Sequence, residues 1–312
     1  MNNHLTDSIH STIIGGAIGD AIGVPVEFEA RGAFKVTGMT GYGTYNQPKG
    51  TWSDDTTMTL CLMENIIEGG NDEALMGKFL AWVEKGYMTP HGRCFDIGGT
   101  TARAIYKFKN GTPICKCGQS GENDNGNGSL MRIAPVVFLS CNVEKVQLRL
   151  AIAERYSGLT HAHPRSISGC FIYLEYLRQL YFGKSKTEAL DNIIKICYES
   201  LQGTKYQKEL SHYERILDGK ISDIKKDNIR SGGYVVNTLE AALWCFFQHN
   251  NYRDTVLEAV NLGGDTDTTG IVAGSLAGMF YGYDAIPEKW INSLVKIGKI
   301  KKLCEMYARL SS

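Results

Sequence analysis

The sequence predicts an all-α fold, a single compact orthogonal helical bundle over residues 1–312. Three observations predict it. Apolar residues recur at helical spacing in almost every segment, and clean apolar–polar alternation is scarce. No strand–helix–strand rhythm appears, so a parallel sheet is not expected. No internal repeat of about 20–50 residues points to a solenoid.

Composition narrows the field. At 312 residues and 43% hydrophobic, the chain is long enough for one large core. Basic and acidic residues balance at 33 each, which argues against a general electrostatic role on nucleic acid or a membrane surface. The nine cysteines are dispersed and form no CxxC pair, and Cys115 and Cys117 have the wrong spacing for a zinc knuckle. Such a set reads as reduced thiols, and a cytoplasmic location is expected. The opening MNNHLTDSIH lacks the basic start and apolar core of a signal peptide. No run of about 18 uninterrupted apolar residues occurs, so no membrane span is expected.

In chain order, residues 8–23 read as a helix through Ile9, Ile13, Ile14, Ala17, Ile18, Ala21 and Ile22. Gly15, Gly19 and Gly23 fall on one face of it, which predicts a second helix packed very close. Pro25 stops the helix and Glu27 follows. Residues 31–51 are rich in Gly, Thr and Tyr and read as a loop, which delivers Trp52, Ser53, Asp54, Asp55, Thr56 and Thr57 to the start of a further helix. Residues 72–85 read as a helix. Gly98 and Gly99 then enter another, leaving free N–H groups suited to an anion. Residues 121–130, GENDNGNGSL, form the most loop-like stretch and read either as a turn or as a cradle for phosphate or sugar. Residues 144–160 and 166–182 read as helices on either side of His161 and His163, a pair with no third metal ligand spaced to it. Charge rises and apolar density falls over 183–230, which reads as a peripheral helical insertion. Tyr234 opens a new apolar helix, and residues 254–260 form a short one. Gly263–Gly270, GGDTDTTG, opens the last long apolar run, in which Gly270, Gly274, Gly278 and Gly282 repeat the four-residue glycine spacing of the first helix. The two stripes are expected to meet.

The chemistry lies in two clusters, Ser53/Asp54/Asp55 and Asp265/Asp267/Thr268, each at a helix start. Carboxylates and hydroxyls suit helix N-termini, so either cluster alone reads as capping as readily as metal binding. Two such clusters brought together would repel unless a cation lay between them. Their hard oxygen donors suffice for two divalent cations, Mg²⁺ or Mn²⁺. Glu27 is a candidate general base or metal-shell ligand. Residues 98–99 and 125–128 are candidates for a pyrophosphate, and Tyr234 for stacking on a base. From these residues alone the chain reads as a binuclear-metal hydrolase of a nucleotide-like substrate, with phosphoesterase and glycosidase both open.

The stretches GGAIGDAIGVPVEF (15–28), WSDDTTM (52–58), FDIGGTT (95–101), GNGSLMRIAPV (126–136), THAHP (160–164) and NLGGDTDTTGIVAG (261–274) resemble, in order, those of the ADP-ribosylglycohydrolases. That family includes the dinitrogenase-reductase-activating glycohydrolases and the animal ADP-ribosyl hydrolases. The resemblance covers roughly residues 8–300 and implies the family's all-α fold with two Mg²⁺ or Mn²⁺ in a central cleft. It implies Ser53, Asp54, Asp55, Asp265, Asp267 and Thr268 as metal ligands, with Ser53 standing where Thr is commoner. It implies Glu27 as the mobile active-site glutamate and Asp96 as the acid near the scissile ribose, and it places Asp55 and Asp267 at the catalytic centre as well. Gly98, Gly99 and the Asn125, Gly126, Asn127, Gly128, Ser129 loop match the phosphate- and ribose-binding loops. His161 matches a histidine beside the pyrophosphate, and Tyr234 an adenine-stacking aromatic. The implied reaction releases ADP-ribose by cleaving the bond at C1″, with ADP-ribosyl-arginine on a protein as first substrate. Alternatives are O-linked (serine) ADP-ribose, a small ADP-ribosyl-guanidine adduct, or a non-catalytic protein that binds ADP-ribose or a toxin. A cognate ADP-ribosyltransferase is the implied partner.

Overall fold

The computed structural model describes residues 3–311 and contains, among them, fourteen α-helices and no strand. They are α1 (Asn3–Gly23), α2 (Asp54–Ile67), α3 (Asp72–Lys85), α4 (Gly99–Lys109), α5 (Val137–Ser140), α6 (Val146–Gly158) and α7 (Pro164–Tyr181). The second half adds α8 (Lys186–Ser200), α9 (Glu214–Leu217), α10 (Val235–Gln248), α11 (Tyr252–Asn261), α12 (Thr266–Tyr281), α13 (Glu288–Ser293) and α14 (Ile297–Ala308). Helix starts follow local chemistry. Asn71 accepts the Ala74 N–H at the head of α3, Asn251 accepts the Asp254 N–H at the head of α11, and Ser185 and Glu188 form a reciprocal capping box on α8.

Helices α1 and α12 form the centre. Every residue from Ser11 to Gly23 in α1 and from Thr266 to Met279 in α12 is buried. A helix apolar all round must sit inside the protein, and these two pack on each other. The glycine stripes meet as expected. A Cβ on Gly15 would lie 2.7 Å from the Gly274 carbonyl oxygen, and one on Gly19 would overlap the Gly270 carbonyl. Gly282 lies outside the contact and ends α12 at φ 82°. Helix α1 begins at Asn3, five residues earlier than its apolar spacing suggests. Asn3–Val26 is long and apolar enough to cross a membrane by length and composition alone, although no run in it is uninterruptedly apolar; 89% of its apolar 18-residue window is buried within the protein, as in a core helix.

The 183–230 segment is not confined to the surface. Leu190, Ile193, Cys197, Tyr213 and Ile216 join the common core, and the Tyr213 hydroxyl donates to the Arg165 carbonyl at the head of α7. Lys220 and Lys225 of this segment are exposed.

Candidate active site

The two acidic clusters meet where α2 and α12 begin. Ser53 is the N-cap of α2, and its Oγ accepts the Asp55 N–H at 3.3 Å. Asp54 and Asp55 fill the first turn. Asp265 is the N-cap of α12, yet its carboxylate caps nothing. Its Oδ2 accepts from Asn127 Nδ2 at 2.9 Å, and its buried Oδ1 has no partner. The turn before it needs glycine twice. Gly263 and Gly264 both have φ 74°, and a Cβ on the first would lie 2.6 Å from Arg31 N. This tight turn ties the Glu27–Arg31 segment to α12 through Phe28 N–H to Gly264 O at 2.7 Å and Gly264 N–H to Glu29 O at 2.9 Å. The clusters touch directly, for Thr268 Oγ1 lies 3.4 Å from Asp55 Oδ2. One carboxylate oxygen each from Glu27, Asp96 and Asp267 also lie within 4.8 Å of one another.

Behind the α2 cluster stands Asp20, fully buried on α1. It accepts the Ser53 N–H at 2.9 Å, the Thr56 N–H at 3.0 Å and the Thr56 hydroxyl at 2.6 Å. It therefore fixes the turn that carries Asp54 and Asp55.

Among the described residues, no lysine or arginine forms an ion pair with any of these carboxylates. Burial, then mutual charge, drives up the pKa values of Glu27, Asp54, Asp55 and Asp267. Glu27 is raised to about 8 by burial, then by Asp96 and Asp265. Asp54, Asp55 and Asp267 are raised well above the usual carboxylate range, and Asp20 to about 6 by burial. Four buried oxygens find no hydrogen-bond donor: Glu27 Oε2, Asp55 Oδ1, Asp265 Oδ1 and Asp267 Oδ2. Buried acceptors are almost always paired, so these convergent unpartnered oxygens fit the binding of a cation. The donors are hard oxygens, and the buried acidic cluster fits a metal ion of that preference.

The cluster lines part of a cavity of about 380 Å³. Gly98, Gly99, Thr100 and Thr101 line it too, at the head of α4, where Gly98 offers no side-chain cap and the first N–H groups lack intrahelical partners. Gly126, Asn127 and Gly128 complete the wall, with His161 beside the loop. The loop is braced from below. Asn127 N–H donates to Gly233 O at 3.0 Å, Ser166 Oγ to Asn125 Oδ1 at 3.0 Å, and Ser157 Oγ to Ser129 Oγ at 2.9 Å. His161 is held neutral, its pKa lowered to about 3 by burial, then by Arg132 and Arg103.

Of the residues singled out from sequence, Glu27, Asp54, Asp55, Asp96, Asp265 and Thr268 line the cavity, as do Gly98, Gly99, Gly126, Asn127, Gly128 and His161. Ser53 and Asp267 lie just behind the wall, hydrogen-bonded to Asp55 Oδ2 and to the Thr268 N–H respectively. Asn125 and Ser129 brace the loop from beneath. Tyr234 is not on the wall; it lies beside Arg165 and pairs through its backbone with Gly126. Sequence reasoning passed over Asp20, Arg132, Thr160 and Phe28. Asp20 carried a signal, as the only charge in the apolar run from Ser11 to Gly23. Phe28 carried none: it lines the cavity 68% exposed at φ 67°, a conformation set by the contact with Gly264.

A family model described as ADP-ribosylglycohydrolase matches residues 1–312. The ADP-ribosylarginine hydrolase Tri1 of Serratia proteamaculans (strain 568) is 34% identical over 303 residues, covering 96% of this chain and 78% of that protein. The ADP-ribosyl-[dinitrogen reductase] glycohydrolase of Rhodospirillum rubrum is 28% identical over 299 residues, covering 92% of this chain and 91% of that protein. A solved structure titled ADP-ribosylglycohydrolase-related protein complex superposes with a TM-score of 0.82 at 30% identity, covering 99% of this chain and all of that one.

Proposed function

The chain belongs to the ADP-ribosylglycohydrolase family, and on that premise we propose that it releases ADP-ribose from ADP-ribosylated arginine by hydrolysing the C1″–N bond. One observation carries the reading: a single cavity is lined both by a dense set of carboxylates and by free N–H groups with a neutral histidine. The first suits a sugar carbon gaining positive charge and a cationic leaving group; the second suits a diphosphate. The name of the Serratia relative supports arginine as the linkage.

Ser53, Asp54, Asp55, Asp265, Asp267 and Thr268 would hold two divalent cations, Mg²⁺ or Mn²⁺, with Glu27 and Asp96 close by. Bound there, such ions supply Lewis acidity towards sugar hydroxyls and acidify water. The chain's own groups handle orientation and protons. Asp96, on the cavity wall, faces the leaving guanidinium as a counter-charge. Glu27, buried with Oε2 unpartnered, accepts a proton from the attacking water and returns it to the departing nitrogen. One water hydrogen remains on the new C1″ hydroxyl and the other leaves on the guanidinium, so the reaction balances. Asn127 orients Asp265, and Asp20 orients the α2 turn. All nine cysteines are free, which supports a reducing, cytoplasmic setting. A cognate ADP-ribosyltransferase would supply the substrate.

The test is a substrate panel of ADP-ribosyl-arginine peptide, ADP-ribosyl-serine peptide and ADP-ribosyl-guanidine, each with and without EDTA. Release from the arginine peptide, lost in EDTA and restored by Mg²⁺ or Mn²⁺, is expected. Preference for serine would reassign the linkage, and binding without turnover would replace the hydrolase reading by a binding role.

A further inference from the structure

Arg132 is 2% exposed, and no carboxylate pairs with it among the described residues. Isolating a guanidinium from water costs several kcal/mol unless a counter-charge arrives. Its terminal nitrogens donate to neutral oxygens: the Gly128 carbonyl, the Tyr156 carbonyl at 3.2 Å and Thr160 Oγ1 at 2.8 Å. The ring of Phe79 covers one face. The cation thus lies directly beneath the Gly126–Gly128 loop, behind the cavity wall.

Thr160 passes its influence on. Its Oγ1 lies 2.8 Å from His161 Nδ1, and it already accepts from Arg132. The Thr160 side chain is buried, and the only acceptor its own hydrogen reaches is His161 Nδ1. If Nδ1 carried the imidazole proton, the hydroxyl oxygen would face two donors and its hydrogen would be stranded. Hydrogen-bond accounting therefore makes Nδ1 the acceptor and puts the ring proton on Nε2. Nε2 has no protein partner among the described residues; it sits about where the loop glycines leave room, 3.5 Å from a Cβ position on Gly126 and 3.4 Å from one on Gly128.

We infer that Arg132 and Thr160 are positioning residues for ligand recognition: they fix His161 as a neutral Nε2–H donor and place a buried positive charge behind it, for a phosphate of a diphosphate ligand. This rests on the proposed ADP-ribose reading and extends it to residues that never touch the ligand. The exposed cation nearby, Arg103, lies 3.5 Å from a Cβ position on Gly99 and is held by Asp124. Arg132 adds a cation behind the neutral His161 that no carboxylate pairs with among the described residues.

The experiment reads the tautomer directly. In ¹⁵N-histidine-labelled protein, His161 is assigned by the loss of its signals in His161→Gln. It should show a protonated Nε2 and a bare Nδ1 from pH 5 to 8, with Nε2 shifting on addition of ADP-ribose. Thr160→Val, nearly isosteric, should populate the other tautomer and weaken ADP-ribose about tenfold, the loss of roughly one charge-assisted hydrogen bond. Thr160→Ser should restore both. An Nδ1-protonated or imidazolium ring in the wild type, or wild-type affinity in Thr160→Val, overturns the inference and leaves the proposed function standing. Binding of inorganic pyrophosphate but not ADP-ribose, with the same Thr160 dependence, keeps the anion role and overturns the ADP-ribose reading. Binding of neither anion overturns the inference.

Discussion

Replacing Gly19 by alanine tests whether the α1–α12 contact sets the geometry of the site. The new Cβ would overlap the Gly270 carbonyl, backbone that cannot rotate away. Helices α1 and α12 must then part locally by several tenths of an ångström or more. Alanine gains about 1 kcal/mol of helix propensity over glycine, but overpacking of a close-packed core costs about 1–3 kcal/mol and more where backbone meets backbone. The clash should win, giving a net loss of up to about 2 kcal/mol, and more where the backbones cannot part. Gly15→Ala, at 2.7 Å from the Gly274 carbonyl, should lose less. Gly77→Ala is the control: it lies within α3 with nothing within 4 Å of its Cβ position, so alanine should stabilise by about 0.5–1 kcal/mol. Urea midpoints at constant m-value read these differences. The functional consequence is local, because Gly19 adjoins Asp20 and Gly270 follows the Asp265–Thr269 cluster. Gly19→Ala should therefore slow ADP-ribose release more than Gly15→Ala at a temperature where both are folded. A Gly19→Ala midpoint raised like that of Gly77→Ala would refute the reasoning.

Other perturbations follow from the same geometry. Asp20→Asn keeps one acceptor oxygen but turns an amide N–H₂ towards the Ser53 or Thr56 donors, so at least one buried N–H loses its partner, at about 1–3 kcal/mol. It should weaken Mn²⁺ binding, measured by titration, and an unchanged affinity would dissociate Asp20 from the site. Asp55→Ala and Asp267→Ala should each abolish ADP-ribose release while raising the melting temperature in EDTA, since each removes a buried like charge; turnover by either variant in metal-free buffer would refute the assignment. The pH dependence has a definite sign. Glu27, raised from 4.5 to about 8, and Asp20, raised from 3.8 to about 6, hold protons in the folded chain that the unfolded chain has released. Their contribution is fully present below about pH 4 and is lost as pH rises through 6 and 8. Without divalent cations, unfolding free energy should therefore fall between pH 5 and 8, and saturating Mg²⁺ or Mn²⁺ should flatten that slope. Denaturant titrations across this range check it, and a rise in stability towards pH 8 in EDTA would contradict it.

Period and punctuation in the sequence determined much of this protein. Helical spacing fixed the all-α class, and Asn71, Ser185 and Gly98 mark helix starts within a residue or two because capping is a local interaction. The four-residue glycine stripes foretold the α1–α12 contact, since a bare backbone strip serves only close approach. The paired acidic motifs foretold a buried acidic cluster where α2 and α12 begin. Tertiary structure alone decided which carboxylate does what. Asp265 sits where a cap should be but turns to Asn127, and Asp20, 33 residues before Ser53 in the chain, serves as the acceptor at the head of α2. Glu27, Asp96 and Asp267 come within reach of one another from three distant segments. Arg132, Thr160 and His161 become one hydrogen-bonded series only because the Gly126–Gly128 loop folds over the end of α6. The physical reason is common to these cases. Local sequence sets backbone conformation, whereas the partner of a buried charge is chosen by whichever distant donors the packed core leaves unsatisfied.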